Sequence, residues 1–73
     1  MNSSMTPEAF GDFVKTRRKE LRMNQRELAM VSRTGVRFIS DLENGKPSCE
    51  LGKALGVLAS LGIEVHFARR TEV

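Results

Sequence analysis

The stretch from Gln25 to Gly45, QRELAMVSRTGVRFISDLENG, constrains this chain more than any other. Asn24 is a good helix N-cap, and Glu27 three residues later completes a capping box. Met23 before the cap and Leu28 in the first turn have the spacing of a hydrophobic staple. A helix therefore starts at Gln25 and runs to about Ser32. Arg33, Thr34 and Gly35 make a break, and a second helix runs from Val36 to Asn44, stopped by Gly45. Leu28, Ala29, Ser32, Thr34, Ile39 and Leu42 form the set that turns inward, and small Ala29 lets two helices cross closely. Val36, Arg37, Ser40, Asp41 and Asn44 are left on the outer face of the second helix. This is helix-turn-helix geometry over about 25–45, with Val36 to Asn44 as the recognition helix.

The run QRELA, the inward pair Ile39 and Leu42, and LENG together resemble the Cro/λ-repressor-type (XRE) helix-turn-helix family. VRFISDLENGKPS followed by LGKALGVLASLGIEVHF is similar, more narrowly, to the HipB-type antitoxins, small repressors encoded beside a HipA-type kinase toxin. The resemblance covers about Phe10 to Phe67. It implies a λ-repressor-like fold, repression of the chain's own operon and a HipA-like kinase as protein partner. The chain departs from the family at Arg33, where the turn usually carries glycine. A non-glycine residue held left-handed there costs about 1 kcal/mol.

At 73 residues the chain makes one small domain, 1–73, whose core is thin unless something reinforces it. With 40% hydrophobic residues and a net charge of +3 it is globular and mildly basic, which suits a nucleic-acid partner without demanding one. A single cysteine, Cys49, excludes an internal disulfide and any cysteine-rich zinc site, and fits a reducing cytoplasm. No apolar run approaches the roughly 18 residues of a membrane span, and MNSSMTPE lacks a signal-peptide pattern.

Thr6 caps a first helix, Pro7 occupies its first position and Glu8 complements its dipole. Phe10, Phe13, Val14, Arg17 and Leu21 recur at helical spacing to about Arg22. Lys15, Arg18, Lys19 and Arg22 lie on the other side, either as a solvated basic face or as phosphate contacts. After Lys46-Pro47, Ser48 caps a fourth helix from about Cys49 to Leu61, with Leu51, Leu55, Leu58 and Leu61 as its apolar stripe. Gly52 and Gly56 on it either admit a close backbone or are weak positions. Gly62 ends it. The ends, Met1–Met5 and Arg69–Val73, read as frayed.

Ile63, Val65 and Phe67 alternate with Glu64, His66 and Ala68, the period of a half-buried strand over about 63–68. Nothing else reads as strand, and a lone strand leaves its backbone groups unpaired. Either it pairs with its own copy across a two-fold axis, through Ile63, Val65 and Phe67, or it packs on its own helices. The expected fold is thus mainly α, four helices with one C-terminal β-strand pairing across a homodimer.

In such a dimer the recognition helices enter successive major grooves of double-stranded DNA, about 34 Å apart on a pseudo-palindromic operator. Arg37 is the first candidate for reading sequence, since a guanidinium matches guanine O6 and N7. Val36 can touch a thymine methyl and Ser40 a base or phosphate. Asp41 either accepts from cytosine or pairs with Arg37 on its own helix. Gln25 and Arg26 open a helix where free N–H groups favour a phosphate, and the family resemblance implies a phosphate-clamping glutamine at Gln25. Arg18, Arg22, Asn44 and Lys46 are further phosphate candidates. Phe38 and Glu43 read as structural, with Arg18 as one candidate partner of Glu43. His66, the one histidine, reads as a strand surface residue, and Cys49 as an inert thiol.

No nucleophile sits with a base, no glycine loop cradles phosphate, and no cofactor or metal is implied. The readings that remain are a DNA-binding repressor and antitoxin, a toxin-neutralising interaction module with weak DNA binding, and a phage- or restriction-type regulator without a toxin.

Overall fold

The computed structural model describes residues 5–70, and begins with α1, Pro7–Glu20. Thr6 caps it by accepting from the Ala9 N–H at 3.0 Å, with Pro7 in the first turn. The helix stops short of Arg22, because Arg22 itself turns left-handed at φ 59°. The buried face of α1 is Gly11, Val14 and Arg18. It is rotated from the expected stripe, so Phe13 and Leu21 remain exposed. The rotation follows from Gly11. A Cβ there would lie 2.5 Å from the Leu42 carbonyl oxygen, so α1 crosses α3 backbone to backbone at this residue.

The helix-turn-helix consists of α2, Gln25–Ser32, and α3, Val36–Glu43. Both halves of the capping box form: Asn24 Oδ1 accepts from Glu27 N–H at 2.7 Å, and Glu27 Oε1 from Asn24 N–H at 2.8 Å. Arg33 closes α2 in the left-handed region, at φ 59° and ψ 43°. Gly35 keeps an ordinary φ of −91°, and a Cβ added to it would meet nothing within 4 Å, so the turn's glycine is not the residue that needs to be one. At the other end Gly45, at φ 80°, ends α3 against the Glu8 backbone.

The fourth helix, α4, is Leu51–Ser60. Ser48 does not cap it. The chain stays extended through Glu50, which stands at the N-cap without a side-chain bond. Its buried side is Ala54, Val57 and Leu58, followed by Leu61, while Leu51 and Leu55 face outward. Nothing lies within 4 Å of a Cβ on Gly52 or Gly56. Arg17 Nε donates to the Leu61 carbonyl at 3.0 Å, placing a cation at the C-terminal end of α4.

Val14, Leu28, Ile39, Val57 and Leu61 are the largest wholly buried side chains, so all four helices contribute to one core. α3 packs against both α1 and α2, and α4 packs on α2. Residues 63–70 form no strand within the single chain. Ile63 is half-buried against the core, whereas Val65 and Phe67 stand exposed. Residues 1–4 and 71–73 of the ends read as frayed lie outside the described residues.

Candidate nucleic-acid interface

α3 is amphipathic over its whole length. Ile39, Leu42 and Glu43 point inward, which turns Arg37 and, at 44% exposure, Val36 outward and leaves Ser40 and Asp41 half-exposed beside them. Asn44, just past the helix end, is exposed too. The expected outer face is therefore present, held by the two-sided packing of α3 on α1 and α2.

Within the chain, Asp41 does not make the pair with Arg37 that was one of its two readings. Its carboxylate lies 3.6 Å from Lys46 Nζ rather than pairing with Arg37. The left-handed Gly45 folds the chain back, so that Lys46 N–H donates to the Asp41 carbonyl at 3.0 Å and brings the two side chains together. Arg37 is exposed and takes part in no salt bridge among the described residues, leaving its guanidinium available.

Behind this face lies a buried polar cluster. Arg18 donates to Glu43 through Nε at 2.6 Å and Nη2 at 2.9 Å, and to the Met23 carbonyl through Nη1 at 2.8 Å. Gln25 Nε2 donates to Glu43 Oε1 at 3.0 Å. Burial pushes the Glu43 carboxyl up, but the hydrogen bonds from Arg18 and Gln25, with the charges of Arg18 and Lys15, hold it below its ordinary value. The hydrogen bond to Glu43 raises Arg18 against the effect of burial. This corrects the place of Arg18 among the phosphate candidates. Its guanidinium is spent inside the fold, tying α1 to the end of α3. Glu43 is structural, as its residue type and position suggested.

Gln25 sits half-buried at the first position of α2. Arg22, Arg26 and Lys46 are exposed, as are Lys15 and Lys19 on α1. Phe38 packs on the core, and Lys53 Nζ lies 5.8 Å from its ring centroid. Sequence reasoning passed over Gly11, although glycine inside a helix costs about 1 kcal/mol and so marks a place to look for close packing.

No protein-family model matches the chain. Over 60 residues it is 48% identical to the uncharacterized HTH-type transcriptional regulator y4mF of Sinorhizobium fredii (strain NBRC 101917 / NGR234), an alignment covering 82% of this chain and 79% of that protein. The chain belongs to the HTH-type transcriptional regulators. Among solved structures, this regulator's fold is similar to HipB in a complex with an O4 20-mer, with a TM-score of 0.82 at 22% identity over 94% of this chain and 97% of that one. A HipA–HipB–O2–O3 complex matches with a TM-score of 0.83 at 22% identity, covering 99% of this regulator and 100% of that chain. The clp gene regulator ClgR from C. glutamicum matches with a TM-score of 0.72 at 27% identity, over 85% and 80% of the two chains. The family read from QRELA and LENG agrees with all of these.

Proposed function

We propose that this regulator is a sequence-specific DNA-binding repressor. It acts as a homodimer on a pseudo-palindromic operator in the cytoplasm, and is a HipB-like antitoxin that represses its own operon and binds a HipA-like kinase. The observation that carries the reading is the outer face of α3, where Val36 and Arg37 face outward while Ile39, Leu42 and Glu43 anchor the same helix beneath them. A rigid helix with an outward guanidinium is what reading a base edge in the major groove requires. Gln25 and Arg26 at the start of α2 and Arg22 in the turn before it, with Asn44 and Lys46 just past α3, then hold phosphates on either side of the groove. Dimerisation through Ile63, Val65 and Phe67 is supported by the exposure of the last two on a chain with a small core.

The test is a fluorescence anisotropy titration against the DNA immediately upstream of the gene, with a scrambled duplex at the same salt as control. Tight binding to the first, weak binding to the second and two chains per site are expected. Equal, weak binding to both would overturn the repressor reading. The fold's match to HipB in a HipA–HipB complex favours a second reading, a module that chiefly neutralises a toxin. The two separate on Arg37→Ala with Gln25→Ala, which removes operator binding and spares the kinase under the first reading.

A further inference from the structure

The tail after α4 has the makings of a strand and no partner within the chain. Ile63 N–H donates to the Leu58 carbonyl at 3.0 Å, and beyond it no backbone–backbone hydrogen bond is made among the described residues. Glu64 Oε1 and His66 Nε2 meet at 3.1 Å, so side chains two apart share a side, as extended backbone requires. Phe67 is 93% exposed. Together with Phe13, Leu51 and Leu55, the tail from Ile63 to Phe67 walls an open, mostly apolar groove of about 470 Å³.

A second copy of the chain can pair with this tail in few ways. A two-fold axis passing between residues would set Glu64 level with Val65 and mix polar with apolar side chains on each face. Axes through a residue keep the faces separate but are not equivalent. An axis through Glu64 opposes two carboxylates, and one through His66 sets Ile63 against Arg69. An axis through Phe67 sets Val65 against Arg69. Only an axis through Val65 opposes apolar to apolar and acid to imidazole at every pair.

We propose that a second copy pairs antiparallel about an axis through Val65, so that Ile63 faces the partner subunit's Phe67 and Glu64 faces the partner subunit's His66. This rests on the dimer proposed above and fixes its register. The ribbon stands at the edge of the groove that the tail shares with Phe13 and Leu55. On its polar side, each Glu64 carboxylate, already 3.1 Å from His66 of its own chain, comes level with the imidazole of the second copy.

Single cysteines at 63 to 67 in the full chain, with the exposed native thiol removed by Cys49→Ser, test the register by oxidation. Opposed positions stand about 4.5–5.5 Å apart at Cβ and diagonal ones about 7–8 Å, and a disulfide accommodates only about 3.5–4.5 Å. Cross-linking is expected to peak at Val65→Cys, and a mixture of Glu64→Cys with His66→Cys is expected to give the mixed disulfide. Glu64→Lys is expected to weaken the dimer roughly 3- to 10-fold, and Glu64→Lys with His66→Glu to restore it. A peak at any other position, or a dimer that never cross-links in the tail, overturns the register. A monomer by light scattering before oxidation overturns the dimer reading itself.

Discussion

The Arg18 guanidinium and the Glu43 carboxylate, 25 residues apart, close on each other through two hydrogen bonds of 2.6 and 2.9 Å inside the fold. Removing one partner strands a buried charge, so Glu43→Ala is expected to cost about 3–5 kcal/mol, read from urea denaturation. Replacing both at once, Arg18→Met with Glu43→Met, removes the charges together and is expected to cost far less. The lowered Glu43 pKa gives the pH dependence. Stability from this group is complete above the unfolded carboxylate range, about 4.3, and is lost as pH falls through the lower folded value. The double variant should therefore show a shallower acid limb than the parent.

Gly11 makes a second prediction. A Cβ at this position meets the carbonyls of Leu42 and Glu43 at 2.5 and 2.7 Å, both backbone atoms that cannot swing aside. Gly11→Ala must push α1 off α3 and is expected to cost about 1–3 kcal/mol in thermal denaturation. Gly56→Ala, with open space at its Cβ, is expected to gain about 0.5–1 kcal/mol from helix propensity. If the two changes cost the same, the backbone approach at Gly11 is wrong.

The contrast between these glycines shows where the sequence was legible. The capping box at Asn24 and Glu27 depends on neighbours in the chain, and it formed as read. The inward residues Leu28, Ile39 and Leu42 followed from helical period alone. On α1 and α4 the period placed Val14, Leu58 and Leu61 in the core but not the rest of each stripe, because spacing does not say what a stripe meets. Gly11 rotated α1, leaving Phe13 out and drawing Arg18 in, and α4 turned Leu51 and Leu55 toward solvent. The pairing of Asp41 with Lys46 depended on the left-handed turn at Gly45, which links residues a helical wheel does not connect.

Arg33 supplies a third prediction. Its backbone sits at φ 59° with an exposed side chain, so glycine relieves the strain without removing packing. Arg33→Gly is expected to stabilise the fold by about 0.5–1 kcal/mol, after allowance for the greater freedom of glycine in the unfolded chain. The urea midpoint measures this, and a loss of stability would show that the Arg33 side chain holds something the turn needs.

Base reading and phosphate holding leave different signatures, and Arg37 and Gln25 separate them. Arg37 stands on the outer face of α3, unpaired among the described residues, where a bidentate match to guanine is geometrically open. Arg37→Ala is expected to cost about 1–3 kcal/mol on the operator and to flatten discrimination at one base position per half-site. Gln25 is different, since one Nε2 hydrogen is committed to Glu43 and the carboxylate, which only accepts, fixes which way the amide faces. The second Nε2 hydrogen is then the one offered to a phosphate. Gln25→Ala should weaken operator and scrambled duplex alike, leaving their ratio unchanged. The parent dimer, neutralising six to ten phosphates, should lose ~1000-fold or more in affinity between ~50 and ~200 mM salt. Anisotropy titrations of both variants across that range decide the matter. A uniform loss from Arg37→Ala, or a position-specific one from Gln25→Ala, would exchange the roles assigned to the two residues.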